Sequence, residues 1–173
     1  MNTQIILTVI GSDRPGLTQT LAHAIAEQGG NWLESHLARL GGKYVGSVLV
    51  EVDADRLASL EAAIMAIDAS GLRVSLVPAG DPSAKKGERL SFELVGQDRP
   101  GIVSEVTAVL AGLDVNIDSF ASHTENSAWS GGRLFKAEAQ LTLPTALRAN
   151  QVRDALEAIS GEIMVDFSIG TSG

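Results

Sequence analysis

The stretch GSDRPG at residues 11–16 returns as GQDRPG at residues 96–101. Each copy follows an apolar run and precedes a helix-like pattern. Sliding the chain by this offset of 85 residues sets Ile5, Leu7 and Val9 on Leu90, Phe92 and Leu94. It also sets Leu17, Leu21 and Ile25 on Ile102, Val106 and Leu110, and Asn31 on Asn116. Self-similarity at one fixed offset is a repeat. Two copies are too few for a solenoid and point to two homologous domains.

The pattern around each turn is the same. Residues 3–10 alternate with β-branched side chains, which predicts a strand. Leu17, Leu21 and Ile25 lie one and two turns apart and predict a helix over 17–28. Residues 31–40 and 43–52 read as strands joined at Gly41-Gly42. Leu57, Leu60, Ile64 and Ile67 form a helical stripe within 55–69, and 72–77 reads as a short strand. The order is βαββαβ. The second copy gives strand 89–96, helix 101–113, strands 115–124 and 133–143, helix 145–159 and strand 162–169. The expected fold is therefore α+β: two ferredoxin-like units, each a four-stranded antiparallel sheet with both helices on one face and right-handed crossovers. The expected domains are 1–79 and 89–173. A linker over 80–88 lies in PAGDPSAKKGE, rich in Pro, Gly and charge. The bare sheet faces and free edges predict that the repeats pack together and that the protein self-associates.

The copies differ in their central hairpin. HTENSAWSGGR (123–133) makes the second about six residues longer, and its polar residues with Gly131-Gly132 predict an exposed loop around Trp129. It is either a tolerated insertion or a lid or partner contact anchored by Trp129.

Bulk properties narrow the function. The chain has 173 residues, 45% hydrophobic and 20% charged, a globular composition. Its net charge is −8 and its pI about 4.8, and no Lys/Arg cluster exceeds Lys85-Lys86, which argues against direct nucleic-acid binding. No cysteine is present, so thiolate chemistry and disulfides are excluded. No apolar run approaches the length of a membrane span, and the start lacks the basic region of a signal peptide. A cytoplasmic protein is expected. His23, His36 and His123 form no metal motif, and no G-x-S-x-G elbow or phosphate loop occurs. Glu34 and His36 are placed to pair on one strand. No cofactor and no catalytic residue are expected.

The turn itself suggests a use. Gly11 and Gly96 end a strand where a side chain would obstruct close approach. Asp13 and Asp98 stand where a carboxylate caps helix N–H groups. Pro15 and Pro100 fall in the first helical turn, and Gly16 and Gly101 leave it uncovered. Such a helix start attracts a carboxylate or phosphate. Arg14 and Arg99 could bind an anion or pair with the neighbouring aspartates. Asn31 and Asn116 open the second strand, expected near the same end of the sheet, and offer both a donor and an acceptor. Together these groups suit an amino-acid zwitterion. Alternatively the turn is only strand-to-helix punctuation, with each asparagine satisfying backbone.

The βαββαβ order, the D-R-P-G turn after the first strand and the Asn opening the second resemble the ACT domain, a family of small amino-acid-binding regulatory modules. The tandem arrangement, GGNWLESHLARLGGKYVG and NIDSFASHTENSAWSGGRLF resemble the glycine cleavage system transcriptional repressor group. The resemblance covers nearly the whole chain. It implies a ligand near the strand-one to helix-one loop, commonly at an interface between ACT units. The implied sites are Gly11, Asp13, Arg14, Gly16, Leu17 and Asn31, and Gly96, Asp98, Arg99, Gly101, Ile102 and Asn116. It also implies action through a partner transcription factor without reading DNA. The expected function is a non-catalytic sensor of a small, glycine-like amino acid. The alternatives are an acyl-phosphate hydrolase on the same fold and a ligand-free interaction module.

Overall fold

The computed structural model describes residues 1–12, 14–67, 71–80, 87–126, 132–159, 161 and 163–168. The chain divides into two compact units, Met1–Pro82 and Ser83–Gly173. The first runs β1 (Asn2–Ser12), α1 (Leu17–Glu27), β2 (Asn31–Leu40), β3 (Lys43–Asp53), a 3-10 turn at Ala54–Arg56, α2 (Leu57–Ile67) and β4 (Leu72–Pro78). The second runs β5 (Glu88–Gln97), α3 (Ile102–Gly112), β6 (Asn116–Asn126), β7 (Arg133–Leu143), α4 (Ala149–Glu157) and β8 (Met164–Ser168). The sheet orders are β2-β3-β1-β4 and β6-β7-β5-β8, with every paired neighbour antiparallel. The class is α+β, and both units have the ferredoxin-like order.

Alternation builds each core. Ile5, Leu7 and Val9 of β1 face inward with Val48, Val50 and Val52 of β3, and Leu17, Leu21 and Ile25 of α1 and Leu60, Ile64 and Ile67 of α2 complete one buried cluster. The second unit repeats this with Leu90, Phe92 and Leu94, then Ile102, Val106 and Leu110, then Val152 and Leu156. Burying these side chains, at about 1.5–3 kcal/mol each, is what holds helices to sheet. Gly41 and Gly42, at φ 57° and 76°, close the β2–β3 hairpin because that two-residue loop needs positive φ at both positions.

Three boundaries move. The helix expected over 55–69 opens as a 3-10 turn before α2 (Leu57–Ile67), and its last two expected residues lie outside the described residues. The helix expected over 145–159 begins only at Ala149, because Leu147 N–H donates to the Pro144 carbonyl (2.9 Å) in a separate turn. Gln151 Oε1 then accepts the Arg148 N–H at 2.9 Å and caps the true start. The strand β6 runs on to Asn126. Trp129 and Gly131 of the long hairpin, and most of the expected linker, lie outside the described residues.

Candidate ligand site

Each first strand ends in the repeated turn. Gly16 and Gly101 are the N-caps of α1 and α3, both at φ 90° and ψ −7°. A Pro-Gly pair with the glycine in this region forms a type II turn, closed in the second unit by Ile102 N–H donating to the Arg99 carbonyl at 3.4 Å. Pro15 and Pro100 therefore precede the cap instead of entering the first helical turn as expected. The carbonyls of Gly16 and Gly101 accept the N–H groups of Thr20 (2.9 Å) and Glu105 (3.0 Å), which starts each helix. Geometry leaves the N–H groups of Thr18 and Gln19, and of Val103 and Ser104, without intrahelical partners. Leu17 and Ile102 are both 3% exposed and anchor the helix start in the core. They can offer a ligand only backbone. Gly11 is required by the sheet: a Cβ there would lie 2.7 Å from the Gly71 carbonyl oxygen and 2.9 Å from Leu72 Cδ1. Gly96 is buried on β5, opposite Phe135 of β7.

The polar residues depart from expectation. Asp13 lies outside the described residues. Asp98 caps no helix, since no side chain caps α3. Its carboxylate instead accepts from Arg133, Nε at 3.0 Å and a terminal nitrogen at 2.9 Å, and its backbone N–H donates to the Arg133 carbonyl at 2.8 Å. A left-handed glycine already occupies the cap position, so the aspartate two residues before proline is freed to hold the hairpin. Arg99 pairs with Glu105 and not with Asp98, donating to both carboxylate oxygens at 2.6 Å each. The Arg99 hydrogen bonds hold the Glu105 carboxyl below its ordinary range, against desolvation and with added help from the Arg99 charge.

The first turn is furnished differently. Position 20, the counterpart of 105, is Thr20, whose hydroxyl turns back to the Gly16 carbonyl at 3.0 Å. Thr18 Oγ1 and Tyr44 Oη are hydrogen-bonded at 2.6 Å. Arg14 is exposed, and α1 has no acidic residue in its first turn. A cavity of about 280 Å³ opens beside this turn, lined by Ile10, Gly11, Ser12, Lys43, Gly71 and Arg73. A larger cavity, about 670 Å³, lies along α1 at Gln19, Thr20, His23, Glu27 and Ile67 and gathers no comparable set of cations.

The asparagines are not beside the turns of their own units. Gly11 stands opposite Tyr44 on β3, whereas Asn31 stands opposite Glu51. In the second unit Gly96 stands opposite Phe135 and Asn116 opposite Thr142. Either way the two partners are seven positions apart on the central strand, about 23 Å at a strand's rise. The cause is topological. The helix carries the chain back along the sheet, so the second strand begins level with the start of the first and runs parallel to it. Asn31 is exposed. Asn116 Nδ2 donates to Asp118 Oδ1 at 2.5 Å, and Asp118 Oδ2 accepts from the buried Thr142 hydroxyl at 2.6 Å. Asp118 and its counterpart Leu33 are the residues skipped by a matching register shift in each sheet.

The histidines sit in ordinary surface pairs: His23 with Glu27 (3.2 Å), His36 with Glu34 (3.1 Å), His123 with Glu125 (3.8 Å). Among the described residues no group of three or more His, Cys, Asp or Glu side chains is placed to hold a metal. No helix among them is long and apolar enough to cross a membrane. Glu105 and Arg133, which set the charge of the second turn, were invisible to local spacing because they lie six residues beyond Arg99 and across a hairpin.

Residues 3–74 and, separately, residues 91–139 match the ACT domain. The glycine cleavage system transcriptional repressor of Escherichia coli K12 is 22% identical over 169 residues, 95% of this chain and 88% of that protein. The ACT domain-containing protein ACR3 of Arabidopsis thaliana is 45% identical over 40 residues, 23% of this chain but 9% of that protein. A crystal structure of an unknown protein from Galdieria sulphuraria matches with TM-score 0.80 and 27% identity, covering 99% of this chain and all of that one. A candidate glycine cleavage system transcriptional repressor matches in fold with TM-score 0.73 at 14% identity, covering 98% and 99% of the two chains. The chain belongs to the ACT-domain family and carries two such domains in tandem.

Proposed function

We propose that the protein is a non-catalytic, cytoplasmic regulator that binds a small amino acid, glycine or a close relative, and acts on a partner protein such as a transcription factor. The observation carrying this is the turn made twice with the same left-handed glycine ahead of a helix whose first N–H groups point outward. The ligand carboxylate meets those donors. The likeness to the glycine cleavage system repressor across 95% of the chain supports both the ligand class and action through a partner. A net charge of −8 fits a regulator that leaves DNA to its partner. Because Asn31 and Asn116 lie at the far ends of their own sheets, a site using turn and asparagine together takes the asparagine from the other unit or from another copy of the chain, and a homo-oligomer is the form this proposal adopts. The hydrolase alternative loses support because the Arg99 fork is already engaged by Glu105. A thermal-shift panel of amino acids against acetyl phosphate tests the function. An amino acid at 100 times its Kd should add about 2.7 kcal/mol of stability. A response to acetyl phosphate alone would favour the hydrolase, and no response to either would favour the interaction module.

A further inference from the structure

We propose that the outer face of the first sheet, turned away from α1 and α2, is where two copies of the chain pack together, related by a two-fold axis that crosses the strands at Thr8 and Ser47. This goes beyond the sensing function by naming the surface, and the contact itself needs no ligand. The register fixes which side chains share that face. Ile6 stands beside Leu49, Thr8 beside Ser47 and Ile10 beside Val45. Further along β3, Glu51 lies at one end of the face and Lys43 at the other. A two-fold through the middle row lays each strand antiparallel on its own copy. Ile6 of one copy then meets Ile10 of the other, Leu49 meets Val45, and Glu51 meets Lys43, each contact occurring twice. An isologous interface has to be self-complementary in this way. Stacking with the strands parallel would set like charges together, whereas the antiparallel two-fold sets opposite charges together. The row at the axis carries short hydroxyl side chains, which let two sheets approach to the usual separation of about 10 Å. The face is accessible: Ile10 and Val77 are 49% and 48% exposed, and Thr8 and Lys43 are exposed.

The second sheet is furnished against such a contact. At the positions of Thr8 and Ser47 it has Glu93 and Glu138, directly opposite each other and both exposed. A two-fold there would gather the carboxylates of both copies at the axis and take them out of water, at high cost. Ser91, Gln140 and Lys136 replace Ile6, Leu49 and Val45. The repeats have thus diverged into one apolar, charge-balanced face and one face built to stay wet.

The test is sedimentation velocity of the full chain over a micromolar concentration series, without added amino acid, where the wild type should form a dimer. Ile10→Glu sets a charge against Ile6 of the other copy and should raise the dimer Kd about a hundredfold or more. Lys43→Glu and Glu51→Lys should each weaken association about tenfold or more. Mixed in equal amounts, these two variants should recover a heterodimer, because every facing pair is then opposite in sign. The double variant Lys43→Glu/Glu51→Lys should recover a homodimer for the same reason. A folding defect in either single variant would produce neither rescue. A monomeric wild type, association that Ile10→Glu leaves intact, or failure of both rescues would overturn the inference. Loss of association on Glu93→Lys or Glu138→Lys would also overturn it, by showing that the second sheet supplies the partner face. The thermal-shift response to amino acids reads the sensing function separately, so that function stands or falls on its own.

Discussion

Gly16 and Gly101 carry the same backbone strain for the same reason, and this makes them sharp tests of the turn. At φ 90° an L side chain crowds its own carbonyl, at a cost of about 1–2 kcal/mol. Gly16→Ala should lower stability by that amount, since among the described residues no neighbour lies within 4 Å to add a clash. Gly16→Asn should cost less, because asparagine tolerates this region. Gly11→Ala should cost more than either, because its methyl would meet the Gly71 carbonyl at 2.7 Å. Urea denaturation of the three variants gives the order, and a Gly11→Ala milder than Gly16→Ala would contradict this account. The dipeptide Pro-Gly made the turn legible in the sequence. The fate of the aspartate before it was not legible, because Asp98 is drawn to Arg133, a partner that only the β5–β7 register supplies.

At the scale of elements, α3 begins with the Arg99–Glu105 charge pair, where α1 has Thr20 at the position of Glu105. Glu105 titrates below the ordinary range when folded, so its contribution is fully present above the unfolded value and is lost as pH falls through the folded one. NMR titration of the side-chain carboxyl should place Glu105 below a normal glutamate, and Arg99→Gln should return it to the normal range. The helix cores should behave alike despite this difference. Leu21 and Leu110 are both 0% exposed, and truncating either to alanine should cost about 2–5 kcal/mol, read as a fall in the urea midpoint. These core positions were visible in the sequence because period-2 and helical spacing report burial directly. The start of α4 was not, because TALR after Pro144 can extend a helix pattern or form the separate turn that the Leu147–Pro144 hydrogen bond makes. The placement of Asn31 was misjudged for another reason. Its nearness in sequence to α1 suggested nearness to the turn, whereas α1 is 11 residues long, and at 1.5 Å per residue it moves the chain about 16 Å back along the sheet.

At the scale of the whole molecule, charge and exposed surface lead to different expectations. A net charge of −8 gives the isolated protein little to neutralise phosphates with. A gel shift should show no tight, salt-sensitive complex with a defined DNA site. Association between copies is the stronger expectation. On the face of the first sheet turned away from its helices, Ile10 and Val77 are 49% and 48% exposed, and β2 and β4 are the edge strands of that sheet. Such edges and apolar faces are rarely left open to water. If the ligand site joins the turn of one copy to the asparagine of another, binding and association are linked: whatever holds the ligand also holds the copies together. Glycine, or whichever small amino acid proves to bind, should then shift the monomer–oligomer equilibrium toward the oligomer. Asn31→Ala should weaken that shift by about tenfold to a hundredfold in ligand affinity while leaving the melting temperature of the ligand-free protein unchanged, since Asn31 is exposed. Sedimentation velocity at micromolar protein, with and without the amino acid, measures the linkage. A monomer indifferent to a ligand that calorimetry shows to be bound would mean that each site is complete within one chain, and the role assigned to Asn31 through a second copy would fall with it.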